Sequence, residues 1–153
     1  MRENPYREDR EELKELLRQY QNLKNGRTHA FLEEDAFERI IDYYDEKDNL
    51  PEALEAAETG LSQFPYSSQL MIKKADLLLA TRKYREALDI LEVAELYDSS
   101  DLNLYILKTD AYLALDQQSK AVELLEAALH LFEGEEKIDL LFELADVYDD
   151  YEE

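Results

Sequence analysis

The feature that most constrains the fold of this chain is a repeat with a period of 34 residues. When the sequence is aligned with itself at that shift, small residues fall on small residues and large apolar residues on large ones. The two columns of small residues are Ala53, Ala87, Ala121 and Gly60, Ala94, Ala128. The accompanying large residues include Phe37, Met71, Tyr105 and Tyr44, Leu78, Tyr112. Small residues beside large ones mark close helix crossings, so the period predicts stacked helix pairs.

Each repeat divides into two predicted helices, A and B, joined by a short turn. We place the repeats at residues 34–67, 68–101 and 102–135. The predicted A helices span 33–47, 68–81 and 102–115, and the predicted B helices span 50–63, 84–97 and 119–132. Ser67 or Ser68 and Asp101 are suited to cap the second and third A helices. Gly134 is expected to end the last B helix.

The first 32 residues do not follow the repeat and are expected to form a capping helix and a linker. Apolar residues fall at helical spacing between Tyr6 and Lys24, ending with Tyr20 and Leu23. Gly26 can then adopt the left-handed backbone conformation that ends a helix. Covering the first repeat is the expected role of this helix, and the alternative is a separate partner-binding helix.

Residues 136–153 repeat helix A once more, at a shift of 36 residues. The matched positions are Leu141, Leu144, Ala145 and Tyr148 with Phe37, Ile40, Ile41 and Tyr44. This segment is either a natural C-terminal cap or helix A of an incomplete fourth repeat. A natural cap should have a polar outer face, and apolar residues are instead spread widely here, which favours a piece of a longer array. Self-association through Leu144, Val147, Tyr148 and Tyr151 is a further alternative.

Composition supports a helical chain and restricts its chemistry. Three Gly and three Pro in 153 residues leave few turn residues, and the absence of Cys excludes disulfides and thiolate sites. No apolar run approaches the roughly 20 residues of a membrane helix, and no secretory signal is visible, so a cytoplasmic protein is expected if Met1 is the natural start. The net charge of −21 disfavours nucleic acid and anionic membranes. This charge either attracts basic partners or serves solubility alone.

These residues resemble the tetratricopeptide repeat family from residue 34 to about residue 151. The first repeat is most similar, with Phe37, Ile40, Tyr44, Ala53, Gly60 and Pro65 in the positions of the family signature. Lys74 and Lys108 depart from it where the family has Leu, and we expect their ammonium groups to reach water. The resemblance implies an all-α, right-handed α-solenoid of antiparallel helix pairs, about eight helices in all. It also implies a non-catalytic scaffold whose A helices line a concave face and hold a peptide or helix.

By the same resemblance, an acidic ladder with apolar residues between its carboxylates lies along that concave face. The predicted partner-binding residues are Glu38, Asp42, Asp45, Ile72, Asp76, Leu79, Ile106, Asp110, Leu113, Phe142 and Asp146. Carboxylates flanking an apolar strip suit a basic or amphipathic protein partner. The alternative is that these Asp residues are ordinary solvated polarity. Some family members bind a partner's C-terminal carboxylate through basic groove residues, and that pattern is not matched here, where Lys73 is the basic residue in the comparable slots.

No catalytic, metal or cofactor site is predicted. His29 and His130 are the only histidines and are isolated in sequence, which is typical of structural or exposed histidines. Three distant glycines cannot form a phosphate-binding loop. The sequence therefore predicts neither an enzyme nor a cofactor-binding protein.

Overall fold

The computed structural model describes residues 5–27 and 31–151, which form eight α-helices and no strand. The helices are α1 Pro5–Lys24, α2 Glu34–Glu46, α3 Leu50–Gln63, α4 Ser68–Ala80, α5 Tyr84–Tyr97, α6 Leu102–Ala114, α7 Gln118–Ala128 and α8 Gly134–Tyr151. The predicted all-α fold of paired helices is confirmed. Two compact units divide the chain, one up to Pro65 with α1 to α3 and one from Tyr66 with α4 to α8.

In the first unit, α1 docks on the α2–α3 pair through Tyr20 and Lys24. Tyr20 is fully buried, and its ring meets that of Phe37 edge-on at 6.4 Å between centroids. Lys24 Nζ lies 3.0 Å from Glu52 Oε2 and 3.3 Å from Glu55 Oε1, both on α3. A buried aromatic ring and a shared ion pair therefore hold α1 against α2 and α3.

In the second unit, the helices form two layers. Each of α4 to α7 packs against the next helix in the chain, and in addition α4 contacts α6 and α6 contacts α8. Helices α4, α6 and α8 thus make one layer. Helices α5 and α7 make the other, and within this described unit their backbones do not meet. The closer spacing of the first layer is what makes its outer surface curve inward.

The two columns of small residues lie where the helices of a pair cross. Ala53, Ala87 and Ala121 are fully buried, and the other column of small residues is buried as well. Without bulky side chains at these points, the two backbones approach closely and the neighbouring large residues fill the remaining space. The positions that the repeat identifies as small are therefore buried between helices, as the sequence pattern predicts.

The turn from helix A to helix B is the same in all three pairs. Asp48, Arg82 and Asp116, spaced 34 residues apart, have φ values of 56°, 63° and 60°. The N–H of each following residue donates to a carbonyl five residues earlier, as in Asn49 to Tyr44 at 2.8 Å. This pairing is the Schellman motif, in which one left-handed residue satisfies the last carbonyls of a helix.

Three sequence-based expectations are wrong in detail. Helix α7 ends at Ala128 rather than Phe132, and Gly134 (φ 65°) begins α8 instead of ending the B helix. Leaving the helix early lets Phe132 turn back, where its ring meets that of Tyr105 at 5.5 Å. Lys108 does not extend into water, because Glu95 on α5 accepts a hydrogen bond from its Nζ at 2.9 Å and the side chain is buried.

Candidate functional site

The inward-curving layer of the second unit brings together three carboxylates from three helices. Asp76 lies on α4, Asp110 on α6 and Glu143 on α8. Although Asp110 keeps solvent contact, burial by the surrounding helices raises its pKa to about 6, and the charges of Glu143 and Asp76 add to the rise. Like charges this close disfavour the ionised form. We call Asp76, Asp110 and Glu143 the acidic surface.

A concavity of about 330 Å³ lies beside this surface, between α4 and α6. Its lining residues are Gln69, Ile72, Lys73, Asp76, Asp101, Asn103 and Leu107. Gln69 Nε2 donates to Asp101 Oδ2 at 3.2 Å, so these two side chains orient each other across the two helices. The lining thus combines apolar, amide and charged groups, which suits a peptide better than a small apolar ligand.

The predicted apolar members of the site differ in exposure. Ile72 is buried, whereas Leu79, Ile106 and Leu113 are half-buried. Phe142 is the most accessible, with 66 % of its side chain exposed. Phe142 therefore offers free apolar contact area, while Ile72 serves mainly to pack α4 against its neighbours.

The predicted acidic members are spread over both units. Glu38, Asp42 and Asp45 lie on α2 in the first unit, with Glu38 half-buried and the other two exposed. Asp146 lies exposed on α8. All four stay predicted members of a binding surface, and the carboxylates that the structure brings into electrostatic contact are those of the acidic surface.

Sequence reasoning missed Glu143. At the shift of 36 residues, Glu143 aligns with Leu107, and at a further 34 with Lys73, both of which line the concavity. A carboxylate in that column, next to the column of Asp76 and Asp110, was the available signal. The repeat pattern instead pointed to Asp146, which continues the column of Asp76 and Asp110 at the shift of 36 residues.

Metal ligands, histidines and membrane-spanning helices can also be located in the described parts of the chain. Within residues 5–27 and 31–151, no three His, Asp or Glu side chains are arranged to hold a metal ion. His130 is exposed, and His29 lies outside the described residues. No described helix is both long and apolar enough to cross a membrane.

Comparison with known proteins finds likeness in structure rather than in sequence. No protein-family model matches the chain, and no curated protein sequence matches it. Solved structures do match. The sequences of the three described next are 21 % identical or less to this chain. At such identities the likeness establishes the fold.

Three of these structures illustrate the match. The first tetratricopeptide repeat domain of Spaghetti (RPAP3), bound to the HSP90 peptide SRMEEVD, is 19 % identical with a TM-score of 0.67 and covers 76 % of this chain and 91 % of its own. The TPR2B domain of yeast Sti1, in a complex with an Hsp70 peptide, is 21 % identical with a TM-score of 0.69, covering 76 % and 93 %. A MamA RS-1 double mutant is 20 % identical with a TM-score of 0.70, covering 92 % and 82 %.

Proposed function

We propose that this chain, which has the tetratricopeptide repeat fold, is a non-catalytic protein-interaction module. Its ligand is a basic or amphipathic peptide or helix of a partner protein, which lies along α4, α6 and α8. The observation that carries the proposal is the acidic surface, where Asp76, Asp110 and Glu143 from three helices interact electrostatically. Two of the matching structures hold peptides of other proteins, which supports a peptide ligand for this fold.

The charge of the surface supports a cationic ligand. Burial and neighbouring charge raise the pKa of Asp110 to about 6, so its ionised form is less stabilised than that of an ordinary Asp, although it predominates at pH 7. A Lys or Arg of a ligand placed beside the three carboxylates reverses this effect by supplying the missing opposite charge. The exposed ring of Phe142 supplies apolar contact next to Glu143 on the same helix. A ligand with both cationic and apolar residues therefore fits best.

The peptide held by one of the matching domains differs in charge from the ligand proposed here. The peptide SRMEEVD bound by the RPAP3 domain has three acidic residues and one basic residue. On the inward-curving layer of this chain, three carboxylates lie in electrostatic contact. Like charges across an interface suppress wrong partners, so a ligand of the opposite charge is expected here.

Titration calorimetry with a Lys- and Leu-based amphipathic peptide tests the proposal. We expect binding in about 50 mM salt that weakens in about 300 mM salt, because the added ions screen the charges. The variant Asp76→Asn with Asp110→Asn should reduce affinity about tenfold or more. The matched control is Asp89→Asn with Glu92→Gln, which removes two exposed carboxylates of α5 in the other layer. Equal losses in the two double variants, or no binding at either salt concentration, would refute the proposal.

A further inference from the structure

Helix α8 packs on the rest of its unit by one side in the way that α6 does. At the shift of 36 residues, Leu140 and Val147 of α8 align with Leu104 and Ala111 of α6, and all four are buried. Helix α8 contacts α7 and α6, just as α6 contacts α5 and α4. The register of α8 relative to the earlier A helices is therefore fixed by burial as well as by sequence.

The neighbouring side of α8 differs from its counterpart on α6. Tyr105 and Thr109 of α6 are 2 % and 0 % exposed, and α6 packs against α7. Leu141 and Ala145, the counterparts of Tyr105 and Thr109 at the shift of 36, are both exposed, Leu141 by 46 %. Tyr148, two turns beyond Leu141, is also 46 % exposed. The Tyr148 hydroxyl donates to Glu126 Oε1 of α7 at 3.0 Å. Within the described residues α8 contacts only α6 and α7, so the rest of this side is uncovered. We call Leu141, Ala145 and Tyr148 the α8 face.

We propose that the α8 face binds an amphipathic helix of a partner protein in the position that α7 occupies on α6. This helix carries small apolar residues at its centre and Lys or Arg residues at its margins. The α8 face is a second binding surface, apart from the acidic surface of the proposed function, and it binds its ligand in a different way. Burial of apolar side chains contributes most of the affinity at this surface, whereas opposite charge does so at the acidic surface.

The other helix pairs of the chain define the occupant. In α3, α5 and α7, small residues such as Ala121 and Ala128 lie fully buried against helix A. Lys120 of α7 has its Nζ 6.0 Å from the ring centroid of Tyr112, and Tyr112 is the counterpart of Tyr148 at the shift of 36. A cation in the first turn of the docked helix thus lies over Tyr148.

Charge distinguishes a partner helix from a second copy of this chain. Helix α8 has seven acidic residues and one basic residue. Pairing two copies through this helix would bring fourteen carboxylates together, which is unfavourable at an interface. A helix with basic margins instead meets Asp149, which is exposed at the edge of the face.

A helix taken from this chain provides the probe. The probe is a fluorescein-labelled peptide with the sequence of residues 117–131, in which Glu123→Lys and Glu126→Lys supply basic margins. Fluorescence anisotropy should show saturable binding to the full chain. Leu141→Asp or Ala145→Glu should weaken binding about tenfold or more, because each places a charge in an apolar contact. Both side chains are exposed, and circular dichroism melting verifies that the variants fold.

Three controls separate the outcomes. Leu96→Asp, the same change at an exposed Leu of α5, should leave binding unchanged, and a peptide with Ala121→Gln should bind about tenfold more weakly because it loses a small packing residue. If Asp76→Asn with Asp110→Asn abolishes binding while Leu141→Asp does not, the peptide binds at the acidic surface and the inference is overturned. A dimer in sedimentation that Leu141→Asp dissociates identifies a second copy as the occupant and also overturns it. Absence of binding to a folded chain does so as well.

Discussion

At the scale of single residues, the three A-to-B turns place non-glycine residues in the left-handed region. Asp tolerates this conformation better than most residues because its short polar side chain bonds locally, whereas Arg has no such advantage. Arg82, with φ 63°, is therefore the least suitable of the three turn residues.

We expect Arg82→Gly to raise the free energy of unfolding by up to about 1 kcal/mol, since Gly adopts a positive φ without a Cβ penalty. Urea denaturation measures the change. The matched variant Asp116→Gly, at φ 60° in the equivalent turn, should gain less. A gain from Asp116→Gly as large as that from Arg82→Gly would contradict the explanation.

Asp110 makes the stability of the chain depend on pH. The pKa of Asp110 is about 6 in the folded chain, whereas the ordinary value for an Asp side chain is 3.8. Between these two pH values the folded state therefore binds more protons than the unfolded state. Ionisation of Asp110 therefore destabilises the fold progressively as the pH rises from about 4 to 6, and the full effect is present above that range.

We expect Asp110→Asn to stabilise the chain at pH 7 by no more than about 1 kcal/mol, because the side chain keeps solvent contact that screens its charge. At pH 4 the same substitution should have little effect. Thermal melts of both chains at the two pH values measure the difference. A gain that is equal at the two pH values would rule out ionisation as the cause.

At the scale of elements, α1 depends on Tyr20. The Tyr20 hydroxyl is buried without a hydrogen-bond partner among the described residues. Burial raises the pKa of Tyr20 to about 12. The ring therefore stabilises the docking of α1, and the hydroxyl adds nothing to it.

We expect Tyr20→Ala to lower the free energy of unfolding by about 3–5 kcal/mol, since it removes a buried aromatic ring. Tyr20→Phe keeps the ring and removes the unsatisfied hydroxyl, so it should leave stability unchanged or slightly raised. Chemical denaturation of both variants gives the comparison. A large loss from Tyr20→Phe would reveal a hydrogen bond to the hydroxyl, for instance through water.

Most elements could be predicted from sequence because their signals are local. Ser67 and Asp101 act as predicted, accepting hydrogen bonds from the backbone N–H of Leu70 and Asn103. The end of α7 could not be predicted from local sequence. Ending the helix at Ala128 is stabilised by the ring contact between Phe132 and Tyr105, which are far apart in sequence. The interaction of Glu143 with Asp110 likewise depends on how α8 is seated on its neighbours.

At the scale of the whole molecule, the net charge of −21 opposes the compact state. We expect the melting temperature to rise as NaCl increases from about 20 to 200 mM, because salt screens the repulsion between carboxylates. The variant Asp149→Asn with Asp150→Asn removes two exposed charges of α8 and should show a smaller rise. A melting temperature that falls with salt would mean that favourable ion pairs dominate.

If the proposed cationic ligand binds, the elevated pKa of Asp110 couples that binding to protons. A cationic ligand stabilises the ionised carboxylate, so binding near pH 6 must displace a proton from a fraction of the molecules. Affinity then increases with pH through this range, and the measured heat of binding includes the ionisation enthalpy of the buffer that takes up the proton. The acidic surface would thus make a peptide-binding module respond to acidification without a histidine.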